Sequence, residues 1–87
     1  MIGIYKITNT VNSHCYIGQS RYIETRWKNH KIAATNPNDR GYEYPLYRAI
    51  RKYGIENFTF EILEECSLEK LNERETYWIQ YYKADYN

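Results

Sequence analysis

The sequence predicts an α+β fold: a small three-stranded antiparallel sheet flanked by three helices, in the order β-β-α-α-β-α. Three observations lead there. Gly3-Ile4-Tyr5 and Tyr16-Ile17-Gly18 flank a polar stretch and read as the two arms of a β-hairpin. Two segments with apolar residues at helical spacing follow, then one more alternating run and a last helical stripe. The chain has only 87 residues, so a single domain, residues 1–87, holds all of these elements.

The first strand covers residues 2–8, where Ile2, Ile4, Tyr5 and Ile7 make it apolar on both sides. Asn9 to His14 is polar and reads as the turn. A turn centred near Thr10 and Val11 sets Tyr5 directly opposite Tyr16 on one face. Residues 15–18 form the returning strand. Ser20 is placed to cap a helix from Arg21 to Ala34, with Ile23, Trp27, His30 and Ala34 as its inner stripe. Thr35 to Tyr44 contains Asn36, Pro37, Asn38, Asp39 and Gly41 and reads as a loop. Pro45 suits the first position of a second helix, in which Leu46, Ala49, Ile50 and Tyr53 recur at helical spacing. Gly54 is its stop. Residues 57–64 read as the third strand, with Phe58, Phe60 and Ile62 on one face. Ser67 is placed to cap the last helix, whose stripe is Leu68, Leu71, Glu75, Trp78, Ile79 and Tyr82.

Composition narrows the function. Eleven tyrosines against two phenylalanines and two tryptophans suit a surface that needs apolar contact and hydrogen bonding together. The net charge is only +1, but it is polarised along the chain. Residues 1–56 hold nine Lys/Arg and four Asp/Glu, whereas residues 57–87 hold three and seven. A positive face toward phosphate follows, with Arg21, Lys28, Lys31, Arg40 and Arg48 as its candidate contacts. Each of these residues taken singly also reads as part of a solvated helix face. No apolar run approaches a membrane span. Cys15 and Cys66 lack metal-ligand spacing and read as reduced packing residues.

Three residues break their local pattern. Glu75 occupies an otherwise apolar stripe. A carboxylate facing inward must be paired, hydrogen-bonded or bound to a metal. Arg26 and His30 rise from adjacent turns of the first helix. Arg26 can offer a forked, permanent positive charge to a phosphate oxygen. His30 is either a satisfied core residue or a proton relay. Hydrolysis of a phosphodiester needs an activated water and positive charge around the transition state. A lone carboxylate suits one hard divalent cation rather than two.

The chain resembles the GIY-YIG nuclease domain over essentially its whole length. Gly3-Ile4-Tyr5 and Tyr16-Ile17-Gly18 are the two motifs, and Arg26 follows Gly18 at the family's distance. Glu73-Arg74-Glu75 with Tyr77-Trp78-Ile79 is similar to the family's metal-binding helix. Asp85-Tyr86-Asn87 resembles its closing segment, and Leu46 to Glu65 is similar to the phage and group I intron homing branch. The resemblance implies cleavage of DNA to 5′-phosphate and 3′-hydroxyl ends with Mg²⁺, Mn²⁺ being able to substitute. It implies Tyr5 and Tyr16 as base and helper in an unresolved division, Arg26 on the phosphate, Glu75 on the metal, His30 in proton transfer and Asn87 orienting the site. Some homing members carry another histidine in the loop after the first helix; residues 35–45 contain none, so its role is either missing or filled by Arg40 or Tyr42. Such domains are targeted by a separate DNA-binding region. A monomer that could pair transiently on DNA, in the cytoplasm of a bacterial or phage-infected cell, is the corresponding expectation. A structure-specific repair nuclease and a non-catalytic nucleic-acid-binding module are the alternatives.

Overall fold

The computed structural model describes residues 1–87. Its main elements are β1 (Gly3–Asn9), β2 (Cys15–Ser20), α1 (Ile23–Ala34), α2 (Pro45–Tyr53), β3 (Phe58–Glu65) and α3 (Leu71–Tyr82). They come in the predicted order. β1 is the central strand and pairs antiparallel with β2 on one side and β3 on the other. It is apolar on both faces because helices cover both. On one face, Tyr5, Ile7 and Phe58 pack with Ile23 and Ala34 of α1 and with Leu46, Tyr47, Ala49 and Ile50 of α2. On the other, Ile4 and Ile17 pack with Leu71, and Trp78, Ile79 and Tyr82 of α3 lie against them. Cys15 and Cys66 are free thiols in this packing, as expected. No helix is long and apolar enough to cross a membrane.

The hairpin register differs from the expectation. Tyr5 pairs with Gly18 and Tyr16 with Ile7, so the two tyrosines are diagonal neighbours. The loop spans residues 10–13 and is centred on Val11 and Asn12, one residue later than predicted. Local hydrogen bonds fix it there. The Asn9 side chain accepts from the Val11 amide at 3.0 Å, and the Asn9 carbonyl accepts from the Ser13 amide at 2.8 Å. Ser13 takes the left-handed conformation, with φ 66°, that turns the chain back. The resulting shift is even, so both tyrosines keep the same face. Their separation now has a cause: the Tyr5 ring lies over Gly18, where a Cβ would overlap the phenol.

Other boundaries move for local reasons. α1 begins at Ile23 rather than Arg21, because the Ser20 hydroxyl accepts from the Tyr22 amide at 2.9 Å and shapes a turn ahead of the helix. β2 runs two residues past Gly18, to Ser20, held by pairing with Gly3 and Ile4. β3 covers Phe58–Glu65 and carries an irregularity where β1 passes from Ile4 to Tyr5. After Ser67 the chain makes a 3-10 turn, Leu68–Lys70, before α3 starts at Leu71. Pro45 and Gly54 bound α2 as predicted, Gly54 having φ 91°.

Candidate active site

The centre of the site is a buried chain of three rings. His30, from α1, is 2% exposed, and both of its nitrogens are engaged. Nε2 lies 2.7 Å from the Tyr5 hydroxyl and Nδ1 lies 2.8 Å from the Tyr47 hydroxyl. Arg26, one turn earlier on α1, donates from Nε to the Tyr5 oxygen at 3.3 Å. Arg26 fills one acceptor site of the Tyr5 oxygen. A neutral imidazole donates to one of the two phenols and accepts from the other, so His30 links Tyr5 to Tyr47 in either tautomer. Burial first, and the Arg26 charge second, lower the His30 pKa to about 4, which keeps the ring neutral.

Burial pushes the Tyr5 phenol well above its ordinary range, against the pull of Arg26. Tyr5 is wholly enclosed. Tyr16 is only half-buried, with its ring 6.3 Å from that of Tyr5 and 5.6 Å from that of His30. Burial raises its pKa too, Arg26 lowers it, and the negative charge of Glu75 raises it. Glu75 is therefore an electrostatic neighbour of Tyr16. It is not the buried carboxylate that the stripe suggested: it stands half-buried beside the exposed edge of β2. There the Gln19 amide donates to Glu75 at 3.3 Å and to the Asn72 side-chain oxygen at 2.7 Å. The shift outward arises because Leu71 fills the depth of the second core, while Glu75 lies a turn on, toward the open strand. Glu73 pairs with Lys70 at 3.4 Å on the surface.

The end of the chain closes this edge. Asn87 accepts from the Ile17 amide at 2.8 Å and donates to the Ile17 carbonyl at 2.7 Å. The Tyr86 amide donates to the Cys15 carbonyl at 3.1 Å. These bonds satisfy β2 as a neighbouring strand would, and so fix the strand that carries Tyr16. A cleft of about 380 Å³ opens beside it, lined by Tyr16, Arg26, His30, Tyr44, Tyr47 and Asn87 among others.

Five sequence candidates thus meet at or beside one cleft wall: Tyr5, Tyr16, Arg26, His30 and Asn87. Glu75 flanks them across β2. Arg21, Lys28, Lys31 and Arg40 are exposed and line no cleft, whereas Arg48 lines a second groove. Neither Arg40 nor Tyr42 reaches the cleft: the Tyr42 ring lies 3.6 Å beneath the Arg51 guanidinium. From that loop it is Tyr44 that lines the wall. Tyr47 and Tyr44 were missed from the sequence. Tyr47 falls beside the apolar stripe of α2, and only its burial next to His30 would have flagged it.

The whole chain, residues 1–87, matches the family model of the GIY-YIG catalytic domain. It is 38% identical over 82 residues to intron-associated endonuclease 1 of Enterobacteria phage T4, a match covering 90% of this chain and 31% of that protein. The chain therefore spans about a third of the length of that relative. Among solved structures, the catalytic domain of the homing endonuclease I-TevI superposes with a TM-score of 0.83 at 31% identity, covering 98% of this chain and 91% of that one. An E75A mutant of the I-TevI catalytic domain gives a TM-score of 0.77 at 32% identity, over 99% and 91% of the two chains.

Proposed function

This chain belongs to the GIY-YIG catalytic-domain family, and on that premise we propose that it is the cutting domain of a divalent-metal-dependent DNA endonuclease. The products of this reading are 5′-phosphate and 3′-hydroxyl ends. The observation that carries it is the meeting of Arg26, His30 and two phenols at one cleft, with the Glu75 carboxylate flanking it.

The donors present suit a hard cation. Glu75 and the side-chain oxygen of Asn72 share one hydrogen-bond donor, Gln19, so both face one small region. No cluster of three His, Cys, Asp or Glu side chains occurs in the chain. An ion held by few protein ligands, completing its shell with water and substrate oxygens, matches Mg²⁺. Glu75 would hold it, and the ion would supply positive charge at the phosphate during bond breakage.

The chain's own residues divide the remaining work by exposure. Tyr16 lines the cleft and meets the attacking water or a phosphate oxygen. Tyr5 lies enclosed and holds Arg26 and His30 in place through its hydroxyl. Arg26 lines the cleft and offers its remaining N–H groups to the phosphate, where negative charge builds up. His30, neutral and tied at Nδ1 by Tyr47, holds the Tyr5 hydroxyl at Nε2 and so keeps Tyr5 against Arg26. Asn87 holds β2 and thereby Tyr16.

Plasmid DNA incubated with the protein and Mg²⁺ should be nicked or linearised. Arg26→Ala should slow this by about 10²–10³-fold, the usual cost of removing a transition-state donor. Glu75→Ala should slow it at least as much while the thermal melt stays in place. Full activity in either variant would remove the proposed site.

A further inference from the structure

A second groove begins where the catalytic cleft ends. It has a volume of about 640 Å³ and runs between the hairpin loop, at Asn12 and His14, and α2, at Arg48, Arg51 and Lys52. Pro45 and Tyr86 line both it and the catalytic cleft, so the two adjoin. No acidic side chain lines the groove. With a net charge of only +1, the molecule has no general field for anions, so this positive charge is local.

Its basic groups are not equally free. Arg51 is held in the fold: it donates to the Ala34 carbonyl at 2.8 Å, lies 3.6 Å above the Tyr42 ring and sits 3.7 Å from Glu43. Arg48 has its side chain 67% exposed and meets Glu43 only at 4.0 Å. Lys52 is exposed, and its nearest notable neighbour is the Tyr53 ring, 5.2 Å away. Arg48 and Lys52 are four residues apart on α2 and so project from successive turns along one face. Two cations in file along a groove match a repeating anion better than a single one.

We propose that this groove carries the phosphate backbone of the substrate strand as it leaves the cutting cleft, with Arg48 and Lys52 each binding one phosphate. The inference rests on the nuclease reading above and extends it. A polymer cut internally must continue beyond the scissile bond, and this is the basic groove that adjoins the cleft. Lys28 and Lys31 of α1 line neither the cleft nor the groove.

The test is a salt titration of binding to a short DNA duplex in EDTA, where the metal is withheld. Each phosphate that the protein no longer neutralises makes the slope of log K against log salt shallower by about 0.9, so the Arg48→Ala/Lys52→Ala double variant should be shallower by roughly 1.8. Lys70→Ala, which removes a surface cation that lines neither cleft and pairs with Glu73, should leave the slope unchanged. Both alanines favour the helix, and a matching melting curve certifies the fold. If the unaltered chain binds and cuts DNA but the double variant keeps its full slope, the groove assignment is wrong and the nuclease reading stands. If Lys70→Ala lowers the slope equally, the positive charge acts diffusely and the assignment is again wrong. If the unaltered chain neither binds nor cuts DNA, both fall together.

Discussion

An imidazole with each nitrogen tied to a phenol has given up the freedom that makes histidine titrate near neutrality. His30 is in that state, and its two ties define what the tyrosines can do. Removing the Tyr5 hydroxyl leaves a buried nitrogen of His30 and an N–H of Arg26 without a partner. Removing the Tyr16 hydroxyl leaves both His30 nitrogens and the Arg26 Nε with their partners. Tyr5→Phe should therefore lower stability by about 1–3 kcal/mol as well as activity. Tyr16→Phe should abolish most activity while changing stability by less than about 1 kcal/mol. Paired melting curves and cleavage rates decide this. If Tyr16→Phe melted early and Tyr5→Phe did not, the assignment of the inner and outer roles would be reversed.

The hairpin shows how an element sets chemistry. The two triads are spaced so that a four-residue loop brings Gly18, not Tyr16, opposite Tyr5. Gly18 is thus needed for space: its missing side chain is the bed on which the Tyr5 ring lies. Gly18→Ala should push that ring off His30 and Arg26. The expected cost is about 1–3 kcal/mol from overpacking, together with a loss of cleavage that restored folding conditions do not recover. A crystal structure of the variant with the Tyr5–His30 bond intact would refute this role for Gly18. The triads were legible in the sequence as strands on one face. Their register was not, because Asn9 and Ser13 chose the turn through bonds that no apolar pattern encodes.

For the whole molecule, the site has a consequence for acid stability. The unfolded His30 titrates near 6.5, whereas the folded one resists protonation down to about 4. The groups facing it are Tyr5, Tyr16, Tyr47 and Arg26, none of which supplies a negative charge at this pH. Below about 6.5 the unfolded chain binds a proton that the folded chain refuses. Stability is therefore full above that pH and falls as the pH drops toward about 4, by roughly 3 kcal/mol in all. In a domain of this size, that is a large share of the total. Urea midpoints measured from pH 7 to pH 4 should show the decline, and His30→Gln should flatten it. An NMR titration placing the native His30 near neutrality would contradict it. From about 4.5 downward Glu64 adds its own loss, since hydrogen bonds from Trp78 and then Arg74 hold its carboxyl below the usual range.

The sequence by itself determined the element order, the two-faced central strand and the polar residues that gather at the candidate site. Those follow from periodicity, from turn residues and from polar groups placed where apolar ones were expected, all of which are local. Only the tertiary structure decided which of them touch. It moved Glu75 from the core to a half-buried place beside Gln19 of β2, added Tyr47 behind His30, replaced Arg40 and Tyr42 by Tyr44 at the cleft and put Asn87 on the Ile17 backbone. Each of these depends on contacts between elements distant in the chain. Side-chain volume and the hydrogen-bond needs of a strand edge settle such contacts, and neither has a period that can be read along a sequence.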